Sequence, residues 1–213
     1  MSKFNMKVTP EIEKLTQICR ENDKLDLSLY GKYDVKRGLR DLNGKGVLAG
    51  LTQVSNVQAT KIVDGKEVPC AGKLSYRGYD IKDLTNGFIN DRRFGFEEVT
   101  YLLLFGKLPD QKELNEFSGI LANQRMLPRN FVRDVIMKAP SRDIMNALSR
   151  SVLTLYSYDK DPDNIELENV LRQCINLISV FPLLSVYAYQ AYNHYEKGKS
   201  LYIHQPKKGA FHS

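Results

Sequence analysis

The chain has 213 residues, of which 42% are hydrophobic and 26% are charged. This composition suits one globular domain with a sizeable core and excludes an intrinsically disordered chain. The formal net charge is +6 at pH 7, but the basic residues are spread from Lys3 to Lys208 with acidic residues between them. Such a spread predicts a solvated surface, with no nucleic-acid or membrane partner. A modest basic bias that helps to attract anionic substrates stays open as an alternative.

Cysteine and histidine spacing predicts neither a metal site nor a disulfide framework. The cysteines are three, an odd number, and lie far apart at Cys19, Cys70 and Cys174. The histidines all lie near the carboxyl end, at His194, His204 and His212. We interpret His194 and His204 as surface or packing residues. Because the first residues lack the apolar core of a signal peptide, we expect a reducing cytoplasmic location.

The first fifty residues are predicted to hold one helix and a connecting arm. Thr9 is a suitable N-cap, Pro10 suits the first helical position, and an apolar stripe follows. Residues 22–50 are polar and rich in Lys, Asp and Gly, which is typical of an arm. We therefore assign residues 1–45 to this helix and arm, and residues 46–213 to the main domain.

A small β-hairpin is predicted near residues 57 to 72. Asp64 and Gly65 form a dipeptide that is favoured where both central residues of a hairpin turn need positive φ. Pro69 has no amide donor, so its strand is expected to lie at a sheet edge.

The residues that follow this hairpin carry the clearest signals for where helices begin and end. Gly78 suits a positive φ, Asp80 can cap a short helix, and Gly87 can end that helix. A second helix should close at Gly106.

Two further helices are expected after Pro109. Asp110 and Glu113 form the capping box of the first, which Pro128 interrupts. The apolar residues that follow predict another helix between an Asn130 cap and Pro140.

The last third of the chain is also predicted to be helical. Ser141 can cap a long helix, and the apolar stripe from Leu167 to Ile178 is the broadest in the chain. No charged residue lies between Arg172 and His194, a length close to the roughly 20 residues of a bilayer span. Polar side chains recur there and Pro182 interrupts the stretch, so we favour two buried helices over a membrane span. The fold class is therefore mainly α, a multi-helical bundle with one small β-hairpin near the N-terminus.

One arginine is a candidate for anion binding. The guanidinium of Arg77 can bind a carboxylate or phosphate through two hydrogen bonds. Alternatively, it forms an ion pair with a neighbouring acid such as Asp80 or Asp83. Arg92 and Arg93 are interpreted as part of a solvated loop.

Four segments resemble the amino-terminal part of citrate synthases, especially the bacterial type. They are YRGYDI at 76–81, FEEVTYLLLFGKLP at 96–109, APSRDIMNALSRSVLTLYSYD at 139–159 and FPLLSVYAYQAYNHY at 181–195. The resemblance runs from about Gly46 to about His204. At Asp143-Ile144-Met145 the chain departs from the His-Pro-Met run of many members.

The resemblance implies an incomplete large domain of an acyltransferase. Citrate synthases condense acetyl-CoA with oxaloacetate and water to give citrate and CoA, using one Asp and two His residues as acid and base. The glycine-flanked catalytic histidines and the aspartate have no counterpart here, since His204 stands in IHQP and His212 in FHS. We therefore assign no catalytic, cofactor-binding or metal-binding residue in this sequence on the basis of the resemblance. Acetyl-CoA is a substrate in this family, and no cofactor is implied.

The resemblance also sets the expectations about activity and partners. We expect a shortened or frameshifted product that is inactive alone, with small-molecule substrates only in the full-length enzyme. Two alternatives stay open: a 2-methylcitrate synthase fragment, which would accept propionyl-CoA, and a non-catalytic helical interaction module. Because citrate synthases dimerise through antiparallel helices of the large domain, a homodimer is expected, with the helices from Asp110 through Tyr158 as contributors.

Overall fold

The computed structural model describes residues 26–33, 35–36, 38–41, 43–47 and 52–203. It divides the chain into two units, Met1–Thr52 and Gln53–Ser213. The predicted first helix at Thr9 and the histidines His204 and His212 lie outside the described residues. The boundary predicted at residue 45 stays a prediction.

The described part of the first unit contains one short helix. Helix α1, Ser28–Lys32, has five residues, and the carboxylate of Asp26 accepts a hydrogen bond from the Ser28 N–H at 2.9 Å. Arg40 and Gly46 form an isolated antiparallel bridge. The predicted connecting arm therefore includes a single helical turn, which an Asp side chain starts locally.

The predicted hairpin is confirmed. Strands β1, Ser55–Val63, and β2, Lys66–Tyr76, pair antiparallel across a turn in which Asp64 and Gly65 have φ of 51° and 74°. A short strand β3, Tyr79–Asp80, pairs with the end of β2, so the sheet order is β1-β2-β3. The two positive φ values are those of the tight turn that the Asp-Gly dipeptide favours.

The prediction that the strand of Pro69 is an edge strand is wrong, because β2 is the middle strand of the sheet, although Pro69 itself has a neighbouring strand on one side only. It pairs with Thr60 on one side, while β3 reaches only Ser75 and Tyr76 on the other. Every residue of β1 is exposed. Over most of its length the hairpin is thus a two-stranded ribbon without a buried face.

Helices α2, Ile81–Asn90, and α3, Phe96–Phe105, follow the sheet. Asp80 caps α2 by accepting from the Lys82 N–H at 3.0 Å, and Gly106 ends α3 with a φ of 79°. Both ends agree with the prediction. The predicted stop at Gly87 is wrong, because α2 runs on to Asn90 and Gly87 does not take a positive φ.

Helix α4, Gln111–Asn123, carries the predicted capping box. Asp110 accepts from the Glu113 N–H at 2.8 Å, and Glu113 accepts from the Asp110 N–H at 3.0 Å. Aromatic rings join α3 to α4, since Tyr101 and Phe105 lie 5.5 and 5.8 Å from the ring of Phe117. These contacts bury the face between the two helices.

The segment after Asn130 is a π-helix, Val132–Met137, where an α-helix was predicted. Asn130 has a φ of 64°, so it is a left-handed turn residue, and the predicted cap there is wrong. Phe131 and Ile136 lie five residues apart and are both buried, at 1% and 2% exposure. The wider π turn brings such a pair onto one face, which the α-helical repeat does not.

Helix α5, Ile144–Tyr156, begins two residues later than predicted. Asp143 is its N-cap and accepts from the Asn146 N–H at 3.1 Å, while Ser141 accepts from the Asp143 N–H. The Asp-Ile-Met run, which departs from the family pattern, therefore supplies this cap.

Helix α6, Leu167–Lys197, has 31 residues and continues through Pro182. The predicted break into two helices is wrong. Val180 and Leu184 flank the proline at 1% and 0% exposure, so both halves of α6 are anchored in the same core. We attribute the continuity to this packing, which outweighs the cost of about 3 kcal/mol for an interior proline.

The main core lies between α5, the π-helix and α6. Its buried members are Phe131, Ile136, Ala147, Leu148, Val180, Leu183, Leu184, Tyr187, Ala188 and Ala191. In the described part of the chain, α6 is also the one helix long and apolar enough to cross a bilayer. Only 28% of its most apolar stretch is buried, so α6 keeps exposed apolar surface in the described structure.

Candidate functional site

A cleft of about 850 Å³ opens between the end of α5 and the first half of α6. Its apolar wall is formed by Met126, Leu127, Pro128, Val152, Leu155, Leu177 and Val180. Its polar rim is formed by Tyr156, Tyr158, Asp159, Lys160, Asp161, Asn169, Arg172, Gln173 and Asn176. An apolar cleft with a few polar groups at its mouth is the usual form of a binding site.

An ion pair closes one side of this mouth. One nitrogen of the Arg172 guanidinium lies 2.8 Å from both carboxylate oxygens of Asp159 and 2.7 Å from the amide oxygen of Asn169. Arg172 lowers the pKa of Asp159 below its ordinary value, and a hydrogen bond from the Asp161 N–H lowers it further. Because Asp159 is ionised and paired, the charge of Arg172 is already compensated before any anionic ligand arrives.

The loop between α5 and α6 is tied to both helices. The Tyr156 hydroxyl donates to the carboxylate of Asp163 at 2.8 Å, and this contact raises the pKa of Tyr156. Gln173 of α6 donates to the carbonyl of Pro162 at 3.0 Å. This network was not predicted from the sequence. The only available signal was the acidic run at residues 159–163, followed after nine residues by Arg172.

Arg77 has a structural role that neither interpretation anticipated. Its guanidinium donates to the carbonyl of Leu103 through Nε at 3.3 Å and Nη2 at 2.9 Å. Leu103 lies in the last turn of α3, where carbonyls lack helical partners and a cation is favourable. Among the described residues Arg77 has no ion pair with Asp80 or Asp83, so that expectation is wrong. Arg77 instead ties the sheet to the end of α3.

The Arg92-Arg93 pair is not merely a solvated loop. Arg92 has a φ of 52° and forms the bend between α2 and α3. Arg93 pairs with Asp91 at 3.0 Å and with the carboxylate of Glu98, and Glu98 is the main cause of its raised pKa. The interpretation is therefore wrong for Arg93, which fastens the bend to the first turn of α3.

His194 is a half-buried packing residue, as predicted. Its Nδ1 lies 2.8 Å from the carbonyl of Lys199, and its ring meets Tyr195 edge-on at 4.8 Å. No group of three His, Cys, Asp or Glu side chains that could hold a metal ion occurs among the described residues. His194 thus closes the C-terminal end of α6.

Comparison with known families decides the assignment of the chain. The family model described as citrate synthase, C-terminal domain, matches residues 40–211. The chain belongs to the citrate synthase family. A citrate synthase of Haloferax volcanii is 36% identical over 146 residues, which cover 68% of this chain and 32% of the relative. A citrate synthase of Saccharolobus solfataricus is 32% identical over 118 residues, or 55% of this chain and 28% of the relative.

Solved structures of this family have the same fold. The citrate synthase of Pyrobaculum aerophilum matches with a TM-score of 0.59 and 26% identity, covering 77% of this chain and 38% of that one. The Thermoplasma acidophilum enzyme, solved as a ternary complex with carboxymethyl coenzyme A and oxaloacetate, matches with a TM-score of 0.60. At 18% identity it is evidence for the fold alone. The predicted fold class is confirmed, and the chain spans roughly a third of the length of these citrate synthases.

Proposed function

We propose that this chain is the amino-terminal portion of a citrate synthase that condenses acetyl-CoA with oxaloacetate and water to give citrate and CoA. The observation that carries the proposal is the family match over residues 40–211, which covers most of the chain. The relatives named citrate synthase, 32% and 36% identical, support this reaction over others. Acetyl-CoA and oxaloacetate are the small-molecule substrates of the proposed whole enzyme, which uses no cofactor and works in the cytoplasm.

Within that enzyme we assign this chain a scaffolding role. Three arginines that could hold anionic substrates already make structural contacts: Arg77 with the Leu103 carbonyl, Arg93 with Glu98, and Arg172 with Asp159. In this sequence we find no counterpart of the family's glycine-flanked catalytic histidines or of its catalytic aspartate. The groups that move protons and bind the two carboxylates of oxaloacetate would therefore come from outside these 213 residues.

The activity test measures release of the CoA thiol from acetyl-CoA in the presence of oxaloacetate. We expect the chain alone to give no signal above the buffer blank, since each missing acid or base costs about 10²- to 10⁴-fold in rate. A full-length citrate synthase, such as that of Pyrobaculum aerophilum, is the positive control. Thiol release that copurifies with the 213-residue chain would contradict the scaffolding role. Failure of the complete gene product to make citrate would contradict the proposed reaction.

A second candidate reaction is the synthesis of 2-methylcitrate from propionyl-CoA. It is supported by a relative from Corynebacterium glutamicum, named 2-methylcitrate synthase 1, which is 27% identical over 150 residues. Steady-state assays of the complete gene product with acetyl-CoA and propionyl-CoA separate the two candidates. A higher kcat/KM for acetyl-CoA is expected, and the reverse preference would establish the second reaction.

We also propose that the chain associates as a homodimer. In support, large apolar side chains lie exposed on several helices, among them Met145 and Leu153 on α5 and Phe181 on α6. Exposed apolar surface on these helices is consistent with an association site. The same surface also suits the alternative of a non-catalytic interaction module. Such a module would bind a separate full-length subunit and would contribute no catalytic residue of its own.

A further inference from the structure

The cleft between α5 and α6 has the size of a small-molecule site, and the proposed reaction assigns no ligand to it. Its volume of about 850 Å³ lies within the range of about 300–1,000 Å³ that is usual for such sites. Val180, in its wall, belongs to the main core, and Leu127, Val152 and Leu155 pack against that core. The apolar wall is therefore fixed in place by the fold.

The charges at the mouth of this cleft cancel. Among the described residues, four charged side chains line the mouth, two of each sign. Arg172 is paired with Asp159 at 2.8 Å, and the other two, Lys160 and Asp161, carry opposite charges. Neither an anion nor a cation therefore meets a net opposite charge there. Because an unpaired charge loses its hydration on entering an apolar cleft, this mouth favours an uncharged ligand.

One amide side chain of the cleft, that of Asn176, is available to a ligand. It lies on α6 next to Leu177 and is partly buried in the cleft lining. The amides of Asn169 and Gln173 donate to loop carbonyls at 2.8 and 3.0 Å, whereas the Asn176 amide makes no hydrogen bond in the described part of the chain. An amide offers two donors and an acceptor, so Asn176 can bind a hydroxyl or carbonyl group without any charge.

We propose that this cleft binds an uncharged amphiphile, a molecule with an alkyl chain and one hydroxyl or carbonyl group. The alkyl chain lies against Val152, Leu155 and Leu177, where it removes apolar surface from water. The polar group exchanges a hydrogen bond with the amide of Asn176. This site goes beyond the proposed condensation, because acetyl-CoA and oxaloacetate both carry negative charge and do not fit a mouth without net positive charge.

Isothermal titration calorimetry of the 213-residue chain at pH 7 tests the class of ligand. Three probes share a ten-carbon chain and differ in the head group: 1-decanol, decanoate and decyltrimethylammonium. Each is kept below its solubility limit and below the concentration at which it forms micelles. 1-Decanol should bind with a dissociation constant at least tenfold below those of both ions, because neither ionic head group finds an unpaired opposite charge.

Every other result of this titration refutes the proposal. Equal affinities would mean that the cleft recognises only the alkyl chain. Tighter binding of decanoate would assign the mouth to anions through Lys160, and tighter binding of decyltrimethylammonium would assign it to cations through Asp161. No binding of 1-decanol would mean that the cleft takes no amphiphile. The proposed citrate synthase reaction stands in each case, because the thiol-release assay tests it separately.

A matched pair of substitutions tests where 1-decanol binds. Val152→Asp places a carboxylate in the apolar wall and should raise the dissociation constant of 1-decanol at least tenfold. Val186→Asp is the control, because Val186 of α6 is 54% exposed and does not line the cleft. Circular dichroism checks that both variants fold. Equal losses of binding in the two variants, or no loss in a folded Val152→Asp variant, would overturn the proposed location.

A change of charge at Asn176 tests the polar contact and leaves the apolar wall intact, so it also covers the case in which Val152→Asp does not fold. Asn176→Asp adds a negative charge with little change in size. It should shift the ratio of the two dissociation constants at least tenfold towards decyltrimethylammonium and away from 1-decanol. Asn146→Asp, at the exposed first turn of α5, is the control and should leave that ratio unchanged. An unchanged ratio in Asn176→Asp, or an equal shift in the control, would overturn the assignment of Asn176.

Discussion

The hairpin β1–β2 and helix α6 are held in place by different kinds of interaction. All residues of β1 are exposed, so the ribbon depends on its Asp64-Gly65 turn and on the backbone ladder to β2. Helix α6 contributes six of the ten buried residues of the main core and stays continuous through Pro182. Local conformation therefore specifies the hairpin, whereas packing specifies α6. Substitutions at matched sites in the two regions should differ accordingly.

The largest difference is expected at Leu184, which is fully buried in α6. Leu184→Ala should lower the free energy of unfolding by about 2–5 kcal/mol, because it removes packed methyl groups and leaves a cavity. Its counterpart in the hairpin is Ile62→Ala, where the side chain is 70% exposed, and the effect should stay within about 0.5 kcal/mol. Urea denaturation measures both. Equal losses would mean that the hairpin is packed against something in solution.

Glycine substitutions give a second contrast. A Cβ at Gly95, just before α3, would lie 2.3 Å from the ring of Phe88, whereas a Cβ at Gly72 in β2 would meet nothing within 4 Å. Gly95→Ala should therefore cost about 1–3 kcal/mol through forced repacking. Gly72→Ala should be within about 0.5 kcal/mol of the unsubstituted chain in the same thermal or urea unfolding experiment. A tolerated alanine at position 95 would show that Phe88 moves aside freely.

The capping box at the start of α4 is a local signal within the helical part of the chain. Asp110→Ala removes the acceptor for the Glu113 N–H and should reduce stability by about 1 kcal/mol. Lys112→Ala, on an exposed position of the same first turn, is the control and should change stability little. If both variants unfold at the same urea concentration, the cap does not stabilise α4.

The smallest effect is expected from the ion pair at the mouth of the cleft. The pKa of Asp159 is lower in the folded chain than its unfolded value of about 4. Its contribution to stability is thus fully present above about pH 4 and is lost as the pH falls through the lowered folded value.

Thermal unfolding at pH 7 and pH 3 checks this linkage. Asp159→Asn should show a smaller drop in stability between the two pH values than the unsubstituted chain does. Asp64→Asn, in the exposed hairpin turn, is the control and should keep the full drop. An unchanged pH dependence in Asp159→Asn would mean that Arg172 does not stabilise the folded state through this carboxylate.

Sequence alone determined the features whose cause lies within a few residues. The turn at Asp64-Gly65, the end of α3 at Gly106, and the capping box of Asp110 with Glu113 were all predicted correctly. Each depends on a left-handed φ or on a side chain that reaches a backbone group three residues away. The family resemblance was also readable, because it depends on the order of short segments and not on their contacts.

Tertiary structure alone decided the features whose partners lie far apart in the chain. Arg77 donates to a carbonyl 26 residues away, and Arg172 pairs with Asp159 across 13 residues. Sequence spacing could not predict either contact. It also could not predict the cleft beside the pair of Arg172 and Asp159. The π-helix and the passage of α6 through Pro182 arise because Phe131, Ile136 and Leu184 share one core. The packing energy summed over such a core outweighs the local conformational preference of any single residue. The sequence pattern of one segment does not show which distant residues contribute to that energy.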